Sequence, residues 1–209
     1  MISLLIDTCT KNVCIALFRD KSLLDKVIHS NDIDLSSNFM VLINDILSKN
    51  NIKIEDVDKF FVAIGPGSFT GIRIGVTCAK VMAWALKKDA IPFSSLELLA
   101  AVNSNTDYIV PLIDARRGYV FAGIYDSHLN CIMNDAYIKL DDLVEKIGTD
   151  KSTTYISLDN FDLETNLPEY IVNKVLEKHY DDVPINPHSL NPNYLKKTEA
   201  EEKRESAND

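Results

Sequence analysis

FFVAIGPGSFTGIRIGVT, Phe60–Thr77, is the stretch on which the reading of the whole chain turns. An aromatic and β-branched run, Lys59–Ile64, reads as a strand, and it stops at Gly-Pro-Gly-Ser-Phe-Thr-Gly. A second apolar pattern, Ile72–Leu86, then resumes with the spacing of a helix, broken only by Arg73, Thr77 and Lys80. A strand running through a glycine turn into a helix presents unpaired backbone N–H groups at the helix start, and these attract anions. Gly65, Gly67 and Gly71 can take backbone angles closed to other residues, while Ser68 and Thr70 supply hydroxyls. Yet neither the lysine-bearing phosphate-loop pattern nor the dinucleotide G-x-G-x-x-G is present. On the residues alone two readings stand side by side, an anion site and a tight turn that packs a helix close to a sheet.

Working outward, Ser3–Asp7 and Val13–Phe18 read as an antiparallel hairpin joined by the polar stretch Thr8–Asn12. Leu35, Phe39, Leu42, Ile43, Ile46 and Leu47 fall on one helical face, which Met40 and Val41 widen beyond the needs of a single buried side. Ser94 and Glu97 have capping-box spacing before Leu96–Val102. The polar break Asn103–Asp107 divides the chain into an N-terminal unit, 1–104, and a smaller unit, 105–195. That second unit opens with another hairpin, Tyr108–Asp114 and Tyr119–Tyr125, turned by Ala115-Arg116-Arg117-Gly118. Leu140–Ile147 and Glu169–Lys178 read as helices and Thr154–Leu158 as a strand, and 196–209 is a charged tail.

With 31 acidic against 22 basic residues the net charge is −9, which repels a phosphate backbone and argues against a broad, strong nucleic-acid-binding face. The opening MISLLIDTCTKNVC has no basic n-region, and Asp7 cuts its apolar run, so it reads as neither a signal peptide nor a membrane span. A cytoplasmic chain is the expectation. Cys9, Cys14, Cys78 and Cys131 have no C-x-x-C spacing and are expected to be reduced, buried thiols. None of the histidines, His29, His128, His179 and His188, are four apart, which rules out an H-x-x-x-H metal pair on a helix.

GPGSFTGIRIGVTCAK, with LLIDTCT, LIDARRGYVFAGIY and NPNYLKKTEAEE, resembles the bacterial TsaB (YeaZ) family of tRNA threonylcarbamoyladenosine biosynthesis proteins. The resemblance spans Ser3 to about Glu202 and implies an α/β, two-lobed fold of the actin, sugar kinase and Hsp70 type. It also implies a role without catalysis. TsaB-like proteins are paralogues of TsaD, which carries the threonylcarbamoyl group to N6 of adenosine 37 in tRNAs reading ANN codons. The family's part would be to dock on TsaD as a heterodimer, or on itself as a homodimer, and to help form the site for the ATPase TsaE.

On that reading Asp7, Thr8, Gly65, Gly67, Ser68, Thr70 and Gly71 form a remnant nucleotide cleft, with weak nucleotide binding at most, no cofactor required and no metal. Asp114, like Asp7, closes the first strand of its unit, and a strand-end acid bonded to turn amides is the plain alternative for both. The partner seam is expected on the two apolar helices. Gly75, Ala79 and Ala83 would allow close approach, and Phe39, Leu42, Ile43, Ile46 and Met82 would fill the contact. Ala79→Arg or Ile43→Asp is accordingly expected to abolish partner binding in a chain that still folds. Many relatives begin the first of these helices with His-Ser and carry a proline five residues beyond the serine, where this chain has Leu35-Ser36 and Val41. The competing function is an actin-like ATPase or small-molecule kinase built on the glycine loop and Asp7.

Overall fold

In the computed structural model, which describes residues 1–30, 34–102, 104–157 and 169–196, the chain begins with the expected hairpin. β1 (Ile2–Asp7) and β2 (Asn12–Arg19) pair antiparallel from Ile2 opposite Arg19 to Asp7 opposite Cys14. β3 (Ser22–Ser30) adds to the outer edge of β2. β4 (Lys59–Ala63) and β5 (Asp89–Phe93) lie parallel to β1 and complete the order β3-β2-β1-β4-β5. Strands covered on both faces read as unbroken apolar runs, which is why LLI in β1 and FFVA in β4 are wholly buried.

Two helices from this part of the chain pack on the sheet. α1 (Leu35–Lys49) packs on β2 and β3, and α2 (Phe69–Leu86) on β4, β1 and β5. α3 (Ser95–Ala100) leads to the second sheet, and its Ser94–Glu97 capping box forms as expected. α2 starts three residues before the helix expected at Ile72. Ser68 is its N-cap, and the Ser68 hydroxyl accepts a hydrogen bond from the Gly71 N–H at 3.3 Å, so the glycine at 71 lies inside the first turn. By length and composition α2 could cross a membrane, but Ile72, Val76, Ala79 and Ala83 are buried against the sheet, as in a core helix.

The second sheet takes the order β8-β7-β6-β9. β6 (Tyr108–Asp114) and β7 (Tyr119–Tyr125) form the second hairpin, at the expected bounds. β8 (Cys131–Lys139) lies outside β7, and β9 (Thr153–Ser157) runs parallel to β6. α4 (Leu140–Ile147) covers this sheet with Leu143 and Ile147.

The two sheets fall on either side of the boundary drawn at 104/105, but the C-terminal stretch does not stay with the second. α5 (Glu169–His179) buries Ile171, Val172, Val175 and Leu176 in the core of the first sheet, and Leu190 joins them. An apolar helical face goes to the larger unfilled surface, whatever its place in sequence. Positions 197–209 of the charged tail and Leu158 of the expected ninth strand lie outside the described residues. The cysteines are free, but only Cys9 and Cys14 are buried; Cys78 is half-buried and Cys131 is exposed, a correction to the expectation that all four are interior.

Candidate functional site

The glycine loop is already full. A Cβ on Gly67 would stand 2.0 Å from the Cys9 carbonyl oxygen, and one on Gly71 would stand 1.9 Å from that of Thr8. A Cβ on Gly75, one turn further along α2, would meet the Thr8 Oγ1 at 2.2 Å. The glycines therefore let α2 and its loop close directly on the β1–β2 turn. Hydrogen bonds fix that contact: Ser68 N–H to the Cys9 carbonyl at 2.7 Å, and the Thr8 hydroxyl to the Gly71 carbonyl at 2.7 Å. Gly65 is buried against the Asn193 carbonyl, and its own carbonyl accepts the Ser95 N–H at 3.1 Å. A phosphate needs converging N–H groups and room; here the space holds carbonyl oxygens, which repel it.

Asp7 fits a nucleotide site no better. Its carboxyl is buried, Oδ1 accepts the Cys9 N–H at 2.7 Å, and Oδ2 has no partner among the described residues. Burial outweighs the Cys9 hydrogen bonds and pushes its pKa up to about 6. Asp114 is exposed and accepts the Arg116 N–H at 2.9 Å, a turn-stabilising bond. Of the expected cleft residues, Asp7, Thr8, Gly65, Gly67, Ser68 and Gly71 thus meet in one cluster held together by the chain's own backbone. The Thr70 side chain stays exposed beside them.

The expected seam residues need correction. Phe39, Ile43 and Ile46 on α1 and Gly75, Ala79, Met82 and Ala83 on α2 are buried within the chain itself, and Leu42 is half-buried. The small-residue row admits Thr8 and the sheet, and no partner helix can use it. What the helices turn outward is a different set: Met40 at 48% and Val41 at 52% exposure on α1, Val81 at 54% and Trp84 at 58% on α2. Arg73, Thr77, Val81 and Trp84 recur three or four residues apart, so they form one exposed stripe along α2. Ala79→Arg and Ile43→Asp would therefore break the core, and the surface substitutions are Val81→Asp and Trp84→Ala.

The C-terminal block NPNYLK lies along α2. Lys80 Nζ donates to the Leu190 carbonyl at 3.1 Å, Asn193 N–H donates to the Ile64 carbonyl at 2.8 Å, and the Tyr194 ring stacks on Phe69 at 5.0 Å. Arg73 Nε donates to the Tyr194 hydroxyl at 2.8 Å. One sequence block thus packs on the other, which is how two separated matching stretches form a single structural feature.

Sequence reasoning missed a polar cluster between the two sheets, at a cavity of about 430 Å³. Glu97 on α3 is almost wholly buried, bonds to Lys178 Nζ, and lies 2.7 Å from His179 Nε2. His179 Nδ1 reaches Asp182 at 2.7 Å. Across the cavity Asp135 accepts the Tyr125 hydroxyl at 2.7 Å and the Ser94 hydroxyl. Burial would depress the His179 pKa, but the hydrogen bonds and charges of Glu97 and Asp182 outweigh it and raise it. For Glu97 burial is likewise outweighed, by His179 and Lys178, and its pKa falls. Each of these groups has a partner, as a buried network that joins elements requires. The Ser94–Glu97 spacing was the one visible signal; a partner 82 positions away leaves none.

The comparisons agree with this architecture. The family model for TsaD, tRNA N6-adenosine threonylcarbamoyltransferase, matches residues 24–173. The tRNA threonylcarbamoyladenosine biosynthesis protein TsaB of Bacillus subtilis is 32% identical over an alignment covering 97% of each chain. The Escherichia coli TsaB is 28% identical over 62% of this chain and 57% of its own. In fold, YeaZ from Pseudomonas aeruginosa superposes with a TM-score of 0.74 at 19% identity, covering 93% of this chain and 99% of that one. The two mixed sheets flanked by helices are those of the actin-like fold class. The chain belongs to the TsaB (YeaZ) family of tRNA threonylcarbamoyladenosine biosynthesis proteins.

Proposed function

We propose that this chain serves tRNA threonylcarbamoyladenosine formation as a non-catalytic partner subunit. It docks on TsaD, holds it in the competent shape for transfer to adenosine 37, and helps form the site for TsaE. The observation that carries this reading is the filled glycine loop. A strand–glycine-turn–helix junction that cradles a phosphate must be open; here Thr8 and Cys9 fill it, and Asp7 is sealed from solvent. A scaffold needs no cradle, since binding one state of a partner better than another shifts its population. The exposed side chains Met40, Val41, Val81 and Trp84 supply the apolar surface such docking uses. The chain then requires no nucleotide or metal of its own and acts in the cytoplasm, where its partners and tRNA are found.

Light scattering on the chain mixed with its cognate TsaD tests this directly. A 1:1 species is expected, and Trp84→Ala is expected to weaken it at least tenfold while the variant keeps its fold. Full TsaD activity on tRNA in the absence of the chain would overturn the proposal.

A further inference from the structure

The β6–β7 turn is unusual for a hairpin. Arg116 and Arg117 take φ of 68° and 58°, and Gly118 follows at 77°, so three successive residues are left-handed. Such turns ordinarily use Asn, Asp or Gly, which enter that region cheaply, whereas arginine does so at a cost. The turn is nevertheless locked. Arg116 N–H donates to Asp114 at 2.9 Å, Tyr119 N–H to the Arg116 carbonyl at 3.1 Å, Ala115 N–H to the Tyr119 carbonyl at 2.9 Å, and Leu140 N–H to the Gly118 carbonyl at 2.9 Å. Both arginines are exposed, and a Cβ on Gly118 would meet nothing within 4 Å, so the tip stands clear of the body.

Beneath the tip, Tyr119 stacks on Tyr137 with ring centroids 4.6 Å apart and 13° between planes. Lys139 Nζ lies 5.9 Å from the Tyr119 ring and Lys196 Nζ lies 5.3 Å from the Tyr137 ring. Four cations therefore gather at one hairpin end of a chain whose net charge is −9. The acids in the neighbourhood are Asp114 in the turn and Asp141 and Asp142 at the start of α4. Among the described residues none of them forms an ion pair with Arg116, Arg117, Lys139 or Lys196.

We propose that this tip contacts the sugar-phosphate backbone of RNA, with Arg116 and Arg117 each pairing a phosphate and Lys139 and Lys196 flanking them. Adjacent guanidinium forks carried on a locked backbone suit successive phosphates, and a backbone conformation that arginine adopts at a cost recurs at working contacts. The contact is small and local, in keeping with an acidic chain that has no broad basic face. That the RNA is tRNA rests on the function proposed above.

Arg116→Asn with Arg117→Gly removes both charges while installing residues that favour the turn, so the variant folds at least as well as the parent. The probe is tRNA, titrated at several salt concentrations against the chain with TsaD and against the chain alone at low salt. The double variant is expected to lose about tenfold in tRNA affinity and to flatten the slope of log affinity against log salt by about 1.4 to 1.8, at about 0.7–0.9 for each of the two phosphate contacts. Unchanged affinity and slope in both titrations overturn the proposal. So does loss of the TsaD complex with tRNA affinity intact, which would make the tip a contact for an acidic protein face. Whether wild-type chain stimulates TsaD is measured in the same mixture, and failure there removes the proposed function without bearing on the binding result for the chain alone.

Discussion

Asp7→Asn tests whether the carboxylate at the end of β1 is a buried strand-end acid or part of a working site. Raising a carboxyl from its ordinary 3.8 to about 6 means that the folded chain holds a proton the unfolded chain has released. The stability that Asp7 contributes is therefore full below pH 3.8 and is lost as pH rises through about 6. At about 1.4 kcal/mol for each tenfold in proton affinity, the loss at pH 7.5 is about 3 kcal/mol. Asparagine keeps the acceptor for the Cys9 N–H but places an N–H₂ where Oδ2 has no partner, an offset of about 1–3 kcal/mol that does not change with pH. The informative quantity is therefore the variant's stability minus the parent's, measured by urea unfolding at pH 4 and pH 7.5. Because about 0.5 kcal/mol of the loss has already occurred at pH 4, it should become more favourable to the variant by about 2.4 kcal/mol on going from the lower pH to the higher. A difference that stays constant, or that turns against the variant at pH 7.5, refutes the burial argument and points to a carboxylate that meets a cation.

Three further outcomes follow from the same packing. Gly71→Ala drives a methyl into the Thr8 carbonyl, and thermal unfolding should show a loss of about 1–3 kcal/mol or more; a neutral result would mean the loop and the β1–β2 turn are not in contact. His179→Gln should cost about 1–3 kcal/mol at pH 6, where the imidazolium bonds Glu97 and Asp182, and progressively less as pH rises through the raised folded pKa of His179. Unfolding curves at pH 6 and pH 9 with equal differences would contradict that assignment. Calorimetry with ATP and Mg²⁺ should register no saturable heat at millimolar nucleotide, and a measurable 1:1 isotherm would reopen the kinase reading.

How far the residues foretold the structure varied with burial. β6, β7 and α4 appear at their expected bounds because each pairs a clear hydrophobic period with a sharp polar boundary. β3 and β8 were passed over: SLLDKVIHS and CIMNDAYIK are edge strands, largely half-exposed, and their mixed composition carries no clean alternation. The glycine loop was legible as a junction but not as a filled one, since its occupant, Thr8-Cys9, lies far earlier in the chain, with Thr8 63 positions before Gly71. The helices show the limit most plainly. Periodicity marked α1 and α2 as apolar on more than one side, but their smallest and most apolar faces turned inward, leaving Met40, Val41, Val81 and Trp84 outside. On α1, spacing alone sets Met40 and Val41 apart from the buried face; on α2, only the assembled core shows that Val81 is surplus beside Trp84.

On the proposed function, this chain works through its outward helix faces and not through its glycine loop. The most direct measurement is the rate of threonylcarbamoyl transfer to tRNA by TsaD, with wild-type chain, Asp7→Asn and Val81→Asp added in turn. Asp7→Asn should stimulate as well as wild type, and Val81→Asp, whose side chain lies on the surface, should stimulate at least tenfold less while remaining folded. Stimulation that survives Val81→Asp and disappears with Asp7→Asn would contradict the claim and return the chemistry to the loop.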